Sequence, residues 1–228
     1  MAVLDRLRLL ILATRPMYSM LVPSTYFLGI TSSGTYPQAI PAALLAIGLL
    51  FPFSLILFGV NDAYDHDTDI LNPRKEESWV DGTHLQKADQ KLILFAAKVS
   101  TVLVLLLAIP ASIQSPQVLG YMILSLFIAW TYSAPPLRLK ERPIMDSLSN
   151  GVICFLIWAC GYTAAGNKDL AHHASDILRN GLFIFFAGLA FHSQFAALDL
   201  EADAAANQRT VATVLGERLT TAFSVISL

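Results

Sequence analysis

Four aspartates, Asp62, Asp65, Asp67 and Asp69, crowd into eight residues just after the apolar run 51–60. If the helix of that run continues, Asp62, Asp65 and Asp69 stand three and four residues apart and share one face. Asn61 precedes them and adds a neutral oxygen. A second group, Asp199 and Asp203 in "DLEAD", repeats the four-residue spacing. Like charges so placed destabilise a helix unless a cation takes up the repulsion. Five carboxylates and an amide are hard donors of the kind Mg²⁺ accepts, commonly one or two carboxylates together with phosphate oxygens. Two such groups facing each other would hold a diphosphate between them through Mg²⁺. Asp67 and Glu201 fall off these faces and read as solvated charge. A calcium loop over Asp65, Asp67, Asp69 and Glu76 is the weaker metal reading, because Ile70 stands where that turn needs glycine and Pro73 intrudes.

The elements that must position these acids are apolar. The 228 residues are 55% hydrophobic and only 14% charged, far less charge than the quarter or so usual in soluble domains. Seven apolar stretches emerge, near 9–30, 41–61, 92–111, 118–134, 144–165, 181–198 and from 211 onward. Each is judged against the ~20 residues a helix needs to cross a bilayer. The first carries Arg15-Pro16 inside it and is expected to break there; the same pair spoils any signal-peptide core. The last stops at "TTAFSVISL", half a span long, so a single domain over 1–228 with a truncated C-terminus is expected. The fold class is all-α, a polytopic transmembrane helical bundle of six to seven spans. Cys154 and Cys160 share one apolar run and read as packing thiols, without a disulfide framework.

Charge between the spans alternates. Segments 62–91, 135–143 and 199–219 hold Arg74, Lys75, Lys87, Lys91, Arg138, Lys140, Arg142, Arg209 and Arg218, with Arg6 and Arg8 on the N-terminal tail. The opposite segments contribute Lys168 and Arg179. By the positive-inside rule, the N-terminus and both acidic motifs are cytoplasmic. The basic residues beside the motifs, Arg74, Lys75, Arg138, Lys140 and Arg209, are candidates for binding a diphosphate, although the same rule accounts for their presence. Arg15 is costly to leave unpaired in lipid, so it faces either a buried anionic ligand or one of the aspartates. No basic block suggests nucleic acid.

Together these residues resemble the UbiA-type intramembrane prenyltransferases. "NDAYDHDTD" matches that family's N-D-x-x-D-x-x-x-D motif through Asn61, Asp62, Asp65 and Asp69, and "DLEAD" matches its D-x-x-x-D motif through Asp199 and Asp203. "TYSAPPLRLK" is similar to its Y-x-x-x-K region, with a longer Tyr132-to-Lys140 spacing, and "NQRTVATVLG" has the family's look. The loop texture of "NDAYDHDTDILNPRK" and "YSAPPLRLKERPIMDSLSNG" is most similar to the lycopene elongase branch. The resemblance implies a ring of nine helices around a central cavity, of which this chain supplies six or seven, leaving room for a partner subunit that completes the wall. It implies Mg²⁺-dependent transfer of an allylic prenyl group from a prenyl diphosphate donor to a hydrophobic acceptor lipid, a carotenoid such as lycopene. An aromatic (quinone-type) or glycerol-phosphate acceptor is the alternative. The aspartates would be catalytic through the metal, and Arg15, Arg74, Lys75, Arg138, Lys140, Arg209 and Tyr132 would bind the diphosphate.

Other residues carry plainer readings. Tyr132 reads first as an interface anchor, and second as a residue that steadies a cation through its ring or binds phosphate through its hydroxyl. Asp146 reads as a cap of the fifth helix, Asn150 as a polar group facing the cavity, and the five histidines as surface residues. An ion-coupled transporter is the rival class, but it would put its acids near the bilayer midplane rather than at cytoplasmic helix ends.

Overall fold

The computed structural model describes residues 3–70, 79–80, 82, 85–165 and 174–227. Among these residues the structure is helical, as the composition requires of a chain whose backbone must satisfy its own hydrogen bonds in lipid. Helix α1 (Val3–Ala13) and helix α2 (Leu21–Ser33) divide the first apolar stretch. The break is Arg15, in the left-handed region (φ 50°, ψ 73°), followed by a single turn at Pro16–Ser19. Proline at the first helical position starts that turn but cannot continue the helix before it.

Helix α3 (Ala39–Tyr64) is bent at Leu50 (ψ −102°) ahead of Pro52 and widens at Leu55–Gly59, where the hydrogen bonds skip one residue further. Four further helices, α4 (Lys87–Gln114), α5 (Gln117–Ser133), α6 (Met145–Ala164) and α7 (Ala174–Leu198), build the rest of the bundle. Short α8 (Leu200–Ala205) and α9 (Val211–Ile226) follow. By length and apolarity, α3, α4, α6 and α7 are able to cross a membrane. The other apolar stretches are shorter as helices: α5 has 17 residues, α2 has 13 and α9 has 16.

Helix α4 shows how an all-apolar helix is sorted. Ile93, Ala97, Ser100, Val104, Ala108 and Ala111 are buried, whereas Phe95, Val99, Val102, Leu106, Ile109 and Ile113 are exposed. Small residues pack inward and large ones face outward, the pattern of a helix between a protein core and lipid. Close approach is carried furthest between α2 and α6. A Cβ at Gly29 would fall onto the Trp158 carbonyl, and one at Gly161 onto that of Tyr26. The core built on this contact joins Tyr26, Leu45, Phe53, Val104, Met122 and Ile157 from five helices. Around it Ser115 donates to the Thr163 carbonyl (2.7 Å) and Trp130 to Thr101 (2.9 Å). Cys160 is buried and Cys154 half-buried, both as free thiols.

Candidate active site

Both acidic motifs sit on a broken helix end rather than on a continuous helix. Helix α3 stops at Asp65 (φ −107°, ψ 10°), and a new turn, His66–Asp69, starts from it. Helix α7 stops at Asp199 (φ −94°, ψ 2°) and α8 starts from it. In both, the first aspartate's carbonyl still accepts from the N–H four residues on, Asp69 to Asp65 at 2.8 Å and Asp203 to Asp199 at 2.9 Å. The four-residue spacing on one face therefore survives, but the expected uninterrupted helix past residue 61 does not. The turn at His66–Asp69 packs against α8, so two segments 130 residues apart in sequence meet.

Between them opens a cavity of about 450 Å³. Asn61, Asp65, Asp69, Lys140, Asp199, Asp203, Gln208 and Thr210 line one part of it, and Arg15 lies beside them. The remainder of the wall is apolar, from Leu21 and Val22 on α2, Ile153 and Ile157 on α6, and Ile184 and Phe191 on α7. Aromatic rings cluster where the two parts join. Tyr18 lies 5.5 Å from Phe195 and 6.0 Å from Phe191 between centroids, both edge-on, and 6.4 Å from Phe58. No sequence signal marks this cluster, because its members come from the turn at Pro16–Ser19 and from α3 and α7, and are unremarkable as single residues.

The acids are held by cations. Arg15 donates from Nη2 to Asp62 Oδ1 at 2.8 Å, and its guanidinium stands 5.0 Å above the Phe58 ring. Of the two roles foreseen for Arg15, the ion pair with an aspartate is the one formed. Asp62 is fully enclosed and lies behind Arg15 rather than on the cavity wall. Gly82, with φ +90°, lays its backbone against this pair; a Cβ there would come within 3.2 Å of Asp62 Oδ2. Buried Lys140 forms an ion pair with Asp65, and Arg138 reaches the same oxygen at 3.9 Å while also pairing with Glu141. Asn61 Oδ1 accepts from Ser133 at 2.9 Å. Burial pulls the Lys140 ammonium down to about 8, against the fields of Glu141, Asp203 and Asp62. Burial, and then the charge of Asp199, push Asp203 up to about 6.

Among the described residues, no three His, Cys, Asp or Glu side chains are close enough to hold an ion by themselves. The donors instead come in twos, all oxygen, from opposite sides of one opening. That set fits Mg²⁺ sharing its shell with phosphate oxygens and does not fit a closed structural site.

Other candidates fall differently. Arg138 and the exposed Arg209 line a neighbouring cavity of about 360 Å³ with Tyr64 and Glu141, which shares Gln208 with the main one. Arg74, Lys75, Glu76, His84, Lys168, His172 and His173 lie outside the described residues, as does the side chain of Asp67; Glu201 is exposed. Asp146 does not cap its own helix, whose N-cap is Ile144. It is buried, accepting from the N–H of Ser147 (2.7 Å) and from that of Val211 (2.6 Å), so it anchors the start of α9. Asn150 lines the cavity as expected. Two histidines are not surface residues. His66 bonds the Leu85 carbonyl at 2.6 Å through Nδ1. His192 lines the cavity, its Nε2 2.6 Å from the hydroxyl of Tyr132. Tyr132 is thereby a cavity residue as well as the last turn of α5. No sequence signal marked His192, since its partners lie 45 and 60 residues away.

Residues 20–228 match the UbiA prenyltransferase family. A lycopene elongase/hydratase of Corynebacterium glutamicum is 30% identical over 231 residues, covering 98% of this chain and 75% of that protein. A lycopene elongase/hydratase of Haloferax volcanii is 30% identical over 220 residues, covering 95% and 68%. A UbiA homologue from Archaeoglobus fulgidus, bound to DMAPP and Mg²⁺, superposes with a TM-score of 0.72 at 21% identity, over 97% of this chain and 74% of that one. The apo UbiA homologue from Aeropyrum pernix K1 gives 0.71 at 18% identity, over 93% and 74%. With the family match spanning nearly its whole length, this chain belongs to the UbiA prenyltransferases and is an intramembrane prenyltransferase.

Proposed function

We propose that the protein transfers an allylic prenyl group from a prenyl diphosphate to a lipophilic acceptor, a carotenoid such as lycopene, with Mg²⁺ at the two acidic motifs. One observation above all supports the reading. Asp65 and Asp69 from one motif and Asp199 and Asp203 from the other line one opening, and the cavity beyond it is apolar. A substrate divided into an anionic head and a hydrocarbon tail matches that division. The acceptor is inferred from the lycopene elongase/hydratases among the relatives.

When bound, Mg²⁺ supplies Lewis-acid neutralisation of the diphosphate. Asp65, Asp69, Asp199 and Asp203 hold it, with Asn61 contributing an oxygen and Asp62 keeping Arg15 in place. Lys140 and Arg15 add positive charge where the leaving diphosphate gathers electrons, a stabilisation greatest in the transition state. Arg138, reaching Asp65 from the side cavity, supports Lys140 in this. The apolar wall keeps water from the allylic cation, and the rings of Tyr18, Phe58, Phe191 and Phe195, which line the same cavity, supply π electrons near it. The acceptor's double bond attacks, and the new cation loses a proton or captures water. The basic segments around the opening put it, and the N-terminus, on the cytoplasmic side.

The test is product formation in membranes given labelled prenyl diphosphates, Mg²⁺ and, in separate arms, a polyene, an aromatic or a glycerol-phosphate acceptor. The polyene arm is expected to yield product. Asp65→Ala and Asp199→Ala are each expected to lower turnover by about 100-fold or more. Full activity of either variant, or product after chelation of all divalent ions, contradicts the reading.

A further inference from the structure

Beneath the acidic opening the apolar wall is interrupted by a chain of neutral polar groups that nothing above uses. Tyr132 Oη lies 2.6 Å from His192 Nε2, and His192 Nδ1 lies 3.1 Å from Ser147 Oγ. Ser147 Oγ lies 3.0 Å from Ser193 Oγ, which is 2.9 Å from the Leu189 carbonyl. Tyr132 and His192 both line the cavity, and Ser147 and Ser193 behind them are fully buried. Polar side chains at this depth are expensive, and a helix bundle can be packed without them.

The direction of the protons follows from counting them. The Leu189 carbonyl only accepts, so it takes the single hydroxyl proton of Ser193. Ser147 gives its hydroxyl proton to the Asp146 carboxylate, so its oxygen accepts from His192 Nδ1–H. That tautomer leaves Nε2 without a proton, as the acceptor of the Tyr132 hydroxyl. The phenol oxygen faces the cavity, where Asn150 bonds to one of its lone pairs and the other remains, while its proton is held by an imidazole base. His192 stands seven residues before Asp199 on α7, ~10 Å along the helix at ~1.5 Å per residue. The pair is thus set back from the diphosphate head, among the atoms of the hydrocarbon partners.

We propose that Tyr132 is the proton acceptor that ends the reaction and that His192 is its positioning and relay residue. The inference rests on the prenyl-transfer reading of the same cavity. Heterolysis breaks the allylic C–O bond, whose electron pair leaves with the diphosphate. The acceptor's π pair forms the new C–C bond and leaves a cation on the acceptor. One proton must then depart, either from the carbon beside that cation, whose C–H pair becomes the new double bond, or from a water whose oxygen adds to it. Tyr132 Oη takes this proton and passes its own to His192 Nε2. The resulting imidazolium keeps its Nδ1–H on Ser147. Asp146, Asp203 and Arg15 are the charged groups whose fields reach Tyr132.

The experiment measures coupled product per inorganic diphosphate released, in membranes carrying wild type, Tyr132→Phe or His192→Gln. Dividing by released diphosphate removes any change in heterolysis, including one from Tyr132 as a diphosphate contact, and leaves the steps that follow it. The ratio is therefore expected to fall about 10- to 100-fold in Tyr132→Phe and by a smaller factor in His192→Gln, because the coupled cation, lacking a base, breaks its new C–C bond again and water traps the returned allylic cation as free prenol. Acceptor deuterated beside the coupling carbon and D₂O solvent distinguish the two proton sources. Whichever applies should show a larger isotope effect in His192→Gln than in wild type. Unchanged ratios and isotope effects in His192→Gln overturn the proposal, even if Tyr132→Phe fails to accumulate. A wild type that releases no diphosphate from any prenyl diphosphate would instead remove the reading on which the inference rests.

Discussion

Arg15 and Asp62 form the most enclosed charge pair of the site, and their removal can be worked through. Asp62 has no exposed side-chain surface, Arg15 only 17%, and the bond between them is 2.8 Å. Replacing one partner leaves the other charge poorly compensated in a largely enclosed place, which costs about 3–5 kcal/mol. Arg15→Leu and Asp62→Leu are each expected to destabilise the fold by that amount. At ~2–4 °C per kcal/mol for a chain of this size, the unfolding midpoint drops by roughly 6–20 °C. The double variant strands no charge, so much of the loss should return, with a coupling of about 2 kcal/mol or more between the two sites. Thermal unfolding of the four purified forms in one detergent or nanodisc closes the cycle. The double variant should remain inactive, because it lacks the Arg15 charge that stabilises the leaving diphosphate. Single variants within about 1 kcal/mol of wild type, or strictly additive effects, would refute the reasoning.

Two further outcomes follow from the packing and the charge pattern. Gly29→Ala places a Cβ on the Trp158 carbonyl and should sharply reduce folded protein in fluorescence-detected size exclusion. Gly120→Ala, with nothing within 4 Å of the added carbon, should stay within about 1 kcal/mol of wild type or gain slightly. In a background with Cys154 and Cys160 replaced by serine, Glu141→Cys should react with an impermeant thiol reagent only when the cytoplasmic face is open. Tyr36→Cys, 95% exposed in the opposite connection, should react from outside; the reverse labelling contradicts the orientation.

What could be read from the sequence was what is local. The three- and four-residue spacing of Asp62, Asp65, Asp69, Asp199 and Asp203 shows in the chain itself, and so does the break at Arg15-Pro16. The bridge-region backbone at Asp65 and Asp199 was not legible, because an aspartate run gives no Gly or Pro to mark a helix end. Asp146 has the look of a local cap, yet its second oxygen is used 65 residues away at Val211. His192 is a lone histidine in an apolar helix, and only the packing of α5, α6 and α7 brings Tyr132 and Ser147 to it. Arg138, Lys140 and Arg209 look equivalent as loop cations. Folding separates them, with Lys140 on the main cavity and the two arginines on its neighbour.

The central claim is that both aspartate pairs act on one diphosphate through Mg²⁺. Calorimetric titration of the purified protein with an unreactive prenyl thiolodiphosphate, with and without Mg²⁺, measures this without turnover. Wild type should bind only when Mg²⁺ is present. Asp65→Asn and Asp199→Asn should each weaken that binding by about 10- to 100-fold, the loss of one charge-assisted contact of about 1.5–3 kcal/mol. Undiminished Mg²⁺-dependent affinity in either variant would show that the two pairs do not share the ligand.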